Sequence, residues 1–224
     1  MKLTYYGHSA FHVENGKDSI LIDPFITGNP VATVQAKSLQ ANAIIVTHGH
    51  EDHVGDSVEI ALRCNSQVVA CYELANWFTS KGTNAHGMQI GGSREFPFGK
   101  VKFTIAHHSS VAPDGTYAGN PAGVLLTIAG KTIYHTGDTG LFYDMKLIGE
   151  MNPVDIMLLP IGDNYTMGID DAVKAVELTN PKFVIPMHYN TFPVITVDAN
   201  VFKQKIESKG FKCAILNPGE SITI

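Results

Sequence analysis

Residues 43–62, AIIVTHGHEDHVGDSVEIAL, narrowly limit how this chain can fold. The apolar, β-branched run AIIVT (43–47) fits a buried strand. The segment after it carries Val54, Val58, Ala61 and Leu62 at i, i+4, i+7 and i+8, one face of a helix. Between them stand His48, His50, Glu51, Asp52 and His53. The chain has only 10 histidines in 224 residues, so three within six positions need a cause. A strand-to-helix loop is where a rigid scaffold holds functional groups. One histidine there would be an ordinary polar residue ahead of a helix cap. Three with an interposed aspartate form a metal-ligating pattern. His48 and His50 point the same way in extended chain, and Asp52 and His53 follow where the chain turns toward a second point. Imidazole suits zinc, iron, nickel and manganese to differing degrees, and carboxylate shifts the balance toward harder ions.

Other runs that end in turn residues read as strands: 2–6, 9–14, 19–23, 67–71, 101–106, 123–128, 131–136, 155–160, 182–187 and 221–224. ENGKD (14–18) and AGK (129–131) supply hairpin turns. Helices are expected over 72–81 through Leu74, Trp77 and Phe78, and over 169–179 through Ile169, Ala172, Val173 and Val176. A last helix is expected over 198–209 with Asp198 as its N-cap. A hairpin-rich start, then alternating strands and helices, predicts an α/β chain with two sheets and outer helices rather than one parallel sheet. No linker-like stretch divides the sequence, so residues 1–224 read as one domain.

Hydrophobic residues make up 44% and charged ones 17%, enough apolar material for a large core. A net charge of −5 and the lack of any Lys or Arg run argue against nucleic acid or an anionic membrane as partner. No stretch reaches the ~18 apolar residues that span a bilayer. The opening MKLTYYGHSAF lacks a basic region followed by an apolar one, so no signal peptide is expected. Cys64, Cys71 and Cys213 fit neither C-x-x-C nor a disulfide framework. They read as small buried apolar residues in a reducing, cytoplasmic setting.

The loop's own ligands do not close a metal site, so other segments must contribute. IAHHSS brings His107 and His108 to a strand end, YHTGDTG brings His135 and Asp138, and IPMHYN brings His188. Each is the same topological place as the first cluster. Asp23 in LIDP also ends a strand, where a turn-forming Asp before Pro24 is the plainer reading. His12 and His86 lack a partnering motif and read as non-ligands, and Gly55 and Gly137 read as turn or close-packing glycines.

The ordered set His48-x-His50-x-Asp52-His53, a downstream histidine, Gly137-Asp138 and His188 resembles the metallo-β-lactamase superfamily. The order runs from LIDPF (21–25) to PMHYN (186–190). GHSAF, PIGDNYTMG and MHYNTFP are similar to small bacterial metal-dependent hydrolases related to ascorbate-6-phosphate lactonases. The resemblance implies an αβ/βα four-layer sandwich, two mixed sheets face to face with helices outside and the site along one edge. It implies that His48, His50 and one downstream histidine hold a first metal, Asp52, His53 and His188 a second, with Asp138 bridging. Spacing alone leaves His107 and His108 open, since adjacent residues face opposite ways in extended chain. The A-x-H-x-S frame favours His108.

The resemblance further puts Asp23 beside the metals, where it would orient a ligand or water, and His8 near the pocket. The expected cofactors are two divalent ions, zinc favoured, with manganese, iron or nickel compatible. They would share a hydroxide that attacks a small ester, lactone or phosphoester. No G-x-S-x-G elbow competes with that chemistry. Asp52, His8, Asp23 and Asp163 are the candidate catalytic residues, with His8, His135 and Asp163 as candidate leaving-group acids. Asn164, Tyr165, Tyr189 and Asn190 are candidate substrate contacts, and loop 107–122 a candidate pocket wall. The expected partner is a small polar metabolite, although no Arg pair or P-loop marks a phosphate site. Composition permits a monomer or a homo-oligomer. The competing readings are an iron-dependent redox or dioxygen enzyme and a non-catalytic metal or metabolite sensor.

Overall fold

The computed structural model describes all 224 residues. In chain order the first half forms β1 (Lys2–Gly7), β2 (Ala10–Asn15), β3 (Asp18–Ile22), β4 (Ala43–Ile45), α1 (Glu51–Val54), α2 (Ser57–Cys64), β5 (Gln67–Cys71), α3 (Tyr72–Ser80) and β6 (Asn84–Met88). The second half forms β7 (Ser93–Phe96), β8 (Gly99–Ile105), β9 (Ala122–Ile128), β10 (Lys131–His135), α4 (Met145–Met151), β11 (Ile156–Pro160), α5 (Ile169–Thr179), β12 (Phe183–Met187), α6 (Ala199–Ser208) and β13 (Ser221–Thr223).

The strands make a seven-stranded sheet, β13-β1-β2-β3-β4-β5-β6, and a six-stranded sheet, β12-β11-β10-β9-β8-β7. Each mixes hairpin pairs with parallel ones: β3, β4, β5 and β6 run parallel in the first, β10, β11 and β12 in the second. The two sheets face each other through one apolar layer. Ile20 and Ile22 of β3 and Ile45 of β4 point into it from the first sheet, and Val124, Ile133, Leu158 and Ile185 from the second. Side chains alternate along a strand, so Leu21 and Ile44 point outward under α2 and α3. Met157 and Leu159 likewise pack under α5 and α6. This is the expected αβ/βα sandwich. No helix is long and apolar enough to cross a membrane.

Asp198 caps α6 as expected, its side chain accepting from the Asn200 N–H. One helical stripe departs from expectation. Val54 and Val58 lie on different helices because Gly55, at φ +42°, breaks the chain between them. A Cβ at position 55 would stand 2.5 Å from the Pro24 carbonyl oxygen, so the break is fixed by packing. The register resets, Ile60 and Ala61 become the buried positions, and Leu62 is 53% exposed. Cys71 and Cys213 are buried, but Cys64 is only partly so, because its thiol sits over Leu39 and Gln40 at the helix end.

The sheets are also joined by polar bonds at one end. The His188 N–H donates to the His8 carbonyl (2.7 Å), and the Ala122 N–H to the Thr47 carbonyl (3.0 Å). His135 Nε2 donates to the Ser9 carbonyl at 3.0 Å. At this end lie the β1–β2 turn and the residues following β3, β4, β8, β10 and β12.

Candidate metal centre

The loop after β4 is tighter than expected. His50 caps a single helical turn, and the His53 N–H donates back to the His50 carbonyl at 3.0 Å. Residues three apart on such a turn share a face, so His50 and His53 project from one side. His108 arrives from the end of β8, Asp138 from β10 and His188 from β12.

Their donor atoms fall into three overlapping groups, each with all atoms within 4.8 Å of one another: His48, His50 and His108; His48, His53 and Asp138; and His8, Asp52, His53 and His188. Asp138 is central. Its carboxylate lies 2.9 Å from His188 Nε2, 3.3 Å from His53 Nε2 and 3.7 Å from His108 Nε2. Several of these donors lack a protein partner. His53 Nε2, Asp138 Oδ1 and His188 Nδ1 are buried without a hydrogen bond. The 3.3 Å approach of the first two is not aligned as one. Each buried orphan costs ~1–3 kcal/mol. Three in one cluster of imidazoles and carboxylates suit a divalent cation, so the residues present fit the implied metal.

Electrostatics favour the same state. Burial, and then the neighbouring His53 ring, push His48 well below its ordinary value. Burial lowers His50 and His108 as well. These three therefore offer neutral rings, with His48 Nε2 and His50 Nδ1 sharing a hydrogen bond of 2.9 Å. Burial works against ionisation of Asp138, but the His188 and His53 imidazoles prevail and hold it well below the usual carboxylate range. Asp52 is held down against its burial by the His8 hydrogen bond and by His53. Burial would lower His53, but Asp138 and Asp23 raise it well above its ordinary value. A proton on His53 is the charge these carboxylates can recruit from the protein alone.

Asp23, expected beside the metals to orient a ligand or water, and His8, expected near the pocket, both stand behind the donor atoms. Asp23 is fully buried, at φ +45°, and does not face the cluster. Its Oδ2 accepts from His53 Nδ1 (2.7 Å) and from the Thr47 hydroxyl (2.6 Å), and its Oδ1 from the Thr47 N–H (2.8 Å). With its proton given to Asp23, the Thr47 hydroxyl accepts from His48 Nδ1 at 3.0 Å. One carboxylate thus fixes an Nδ1–H on two ligands; His48 Nε2 then accepts from His50 Nδ1 at 2.9 Å, and His53 Nε2, buried without a hydrogen bond, is the atom a metal would take in exchange for a proton. His8, also fully buried, donates from Nε2 to Asp52 Oδ2 at 3.0 Å while Nδ1 meets the Thr191 hydroxyl at 3.0 Å. Burial, then His188, lowers it to about 4. A neutral His8 with both nitrogens engaged holds Asp52 in place and is not placed to protonate a leaving group.

The remaining candidates separate. His107 is exposed and stacks on Phe142 at 4.8 Å, away from the donor groups that contain His108. His135 is excluded as an acid because Nε2 is bound to Ser9 and Nδ1 accepts from the Gly137 N–H at 3.1 Å. Asp163 and Asn164 are exposed and turned into their own loop, the Asp163 carboxylate capping the Asn164 N–H at 2.8 Å. Tyr165 is exposed. Tyr189 packs against the outer core, and burial pushes its hydroxyl up to about 12. Asn190 Oδ1 is taken by the Val197 N–H at 2.8 Å. Asp163 belongs to none of the donor groups, and Asn190 and Tyr189 are engaged in closing a turn and in packing on the core. His12 bonds Ser19 and Tyr6, and His86 packs on Phe96, so both stay outside the cluster. Thr47 and Thr191 were not anticipated. Thr47 adjoins the histidine cluster in sequence, whereas Thr191 is 183 residues from His8 and carried no local signal.

A four-layer αβ/βα sandwich with this donor set at its strand ends has the metallo-β-lactamase fold. Residues 2–188 match the family described as beta-lactamase superfamily domain. A UPF0173 metal-dependent hydrolase of Bacillus cereus is 53% identical over 229 aligned residues covering 100% of both chains. Igni18, a metallo hydrolase of the hyperthermophilic archaeon Ignicoccus hospitalis, superposes with a TM-score of 0.92 at 43% identity, covering 100% of this chain and 97% of that one. The chain belongs to this family of metal-dependent hydrolases within the β-lactamase superfamily. The fold alone is shared, at 14% identity and a TM-score of 0.77, with 54% of CmlA, a diiron β-hydroxylase of Streptomyces venezuelae; all of this chain is covered.

Proposed function

We propose that the chain is a dinuclear hydrolase of a small ester, lactone or phosphoester, with zinc the favoured metal and manganese, iron or nickel compatible. The observation that carries this is the interlocked donor set, in which His53 and His48 each belong to two groups. His48, His50 and His108 would hold one ion, Asp52, His53 and His188 the other, and Asp138 would lie between them. When bound, such ions lower the pKa of water toward neutrality and polarise the substrate oxygen. The chain's own residues supply the rest. Asp52 and Asp138 contribute two negative charges against four from two divalent ions, so the site retains positive charge where an oxyanion develops. Asp23 and His8 fix the ligands. Water adds across the scissile bond, hydroxyl to the acyl carbon or phosphorus and proton to the leaving oxygen. The three cysteines are unpaired, which supports a reducing, cytoplasmic setting.

The test is turnover of a panel containing a sugar lactone, an aryl ester, a phosphodiester and a phosphomonoester. The protein is reconstituted separately with Zn²⁺, Mn²⁺ and Fe²⁺, and metal content is measured in parallel. Two ions per chain are expected, with hydrolysis absent in Asp52→Ala. A single ion, or equal turnover in the variant, overturns the dinuclear reading. Oxygen uptake with iron alone identifies a redox enzyme, and metal binding without turnover of any kind a sensor.

A further inference from the structure

A cavity of about 550 Å³ opens directly beside Asp52. It is walled by Phe25, Thr27 and Gly28 from the segment after β3, by Glu51, Asp52, Gly55 and Asp56 around α1, and by Phe192 from the segment after β12. Its volume is that of a small-molecule site. Two features define what it can hold. The first is an aromatic corner. The Phe25 and Phe192 rings lie 6.4 Å apart, and each meets His8 edge-on, at 5.7 and 5.5 Å. His8 is the residue that fixes Asp52, so this corner is built onto the support of a candidate ligand. The second is charge. The lining contains Glu51, Asp52 and Asp56 and no Lys, Arg or His. The Asp56 carboxylate is partly neutralised by the Ile26 and Thr27 N–H groups at 3.0 and 2.8 Å, whereas Glu51 is exposed.

We infer that this cavity seats the organic tail of the substrate, and that the tail is aryl or short alkyl and uncharged or cationic. A flat apolar group packs against the two phenylalanines, while a carboxylate or phosphate on the tail meets Glu51 and Asp56 with no Lys, Arg or His in the lining to pair it. The inference rests on the hydrolase reading and narrows it. Within the ester, lactone and phosphoester set, it selects neutral acyl substrates with an apolar end and disfavours sugar phosphates.

The test separates seat from chemistry by using binding as well as turnover. The probes are benzohydroxamates with one metal-binding head and a 4-methyl, 4-aminomethyl or 4-carboxylate tail, with acetohydroxamate as the tail-less reference. Affinities are measured by calorimetry on zinc-loaded protein. The methyl and aminomethyl probes are expected to bind at least ~10-fold more tightly than the carboxylate. Phe192→Ala lowers the methyl-to-reference affinity ratio at least ~5-fold, Phe192→Leu restores part of it, and Glu51→Gln narrows the carboxylate penalty. Equal zinc content in all variants shows that they fold. Equal affinities across the tails, or ratios unmoved by Phe192→Ala, overturn the inference even if esters are hydrolysed. The expected tail preference without hydrolysis of any ester, lactone or phosphoester on the panel keeps the seat and removes the hydrolase reading instead.

Discussion

Asp23→Asn is the most informative single substitution, because it changes hydrogens and charge while keeping shape. In the native site Asp23 only accepts: from the Thr47 N–H, the Thr47 hydroxyl and His53 Nδ1. An asparagine that keeps its oxygen on the Thr47 N–H must present its NH₂ to the other two. His53 Nδ1 then becomes an acceptor and its proton moves to Nε2. The Thr47 hydroxyl, now receiving a hydrogen bond, turns its own proton toward His48 Nδ1, and His48 is likewise protonated at Nε2. The flipped amide avoids this only by aiming NH₂ at the buried Thr47 N–H, which leaves a donor unpaired at a cost of ~1–3 kcal/mol. One isosteric change therefore protonates Nε2 on two candidate ligands, one in each half of the site. Loss of a supporting contact of this kind weakens metal binding ~10–100-fold, or ~1.4–2.7 kcal/mol per ion. Chelator competition measures both affinities, and long-range ¹⁵N–¹H spectra of the imidazoles read the tautomers directly. Two ions bound at native affinity, with both rings still protonated at Nδ1, would refute the reasoning.

Further outcomes follow from the same contacts. His108→Ala removes a donor from the three-histidine group and lowers bound metal toward one ion, while His107→Ala, which breaks only the stack on Phe142, retains both; elemental analysis distinguishes them. Gly137→Ala forces a Cβ to 2.5 Å from the Ala122 carbonyl oxygen at φ +62°. Backbone strain and overpacking of ~1–3 kcal/mol each give a loss of ~2–6 kcal/mol by urea denaturation. Gly140→Ala, with nothing nearby, is the near-neutral control. Burial holds the folded His12 imidazole below its ordinary 6.5, so the unfolded chain takes up the proton more readily. The stability this gives is complete above the unfolded value and is lost as the pH falls from there toward the folded one. His12→Gln should flatten the decline in unfolding free energy as the pH falls below about 6.5, and an unchanged slope counts against a neutral buried His12.

The fold was legible wherever a strand is apolar on both faces. β4, β9 and β11 lie between a facing sheet and covering helices, so nearly every side chain is buried and the run declares itself. β6 (NAHGM) and β7 (SREF) were not read, because they stand at sheet edges with mostly partly or fully exposed side chains and carry little apolar signal. α4 escaped for a related reason, since Leu147 and Met151 are exposed and blur its stripe. At the site, residue type and order pointed to the converging imidazoles and carboxylates. What holds them was legible only in part. Asp23 and His8 could be placed near the site but not given their partners, because those contacts join segments 30 and 44 residues apart. The candidate substrate contacts show another limit of the sequence. Asn164 and Asn190 occupy left-handed turns, and a polar residue that closes a turn reads in sequence like one offered to a ligand.

The main-chain bonds from His188 to His8 and from Ala122 to Thr47 draw both sheets together beneath the donors. They are bonds between main-chain groups and require no ion, and they tie together groups contributed by opposite halves of the molecule. Metals that differ in radius and preferred geometry would then meet positions tied to the fold, so selection among them would rest on fit as well as on abundance.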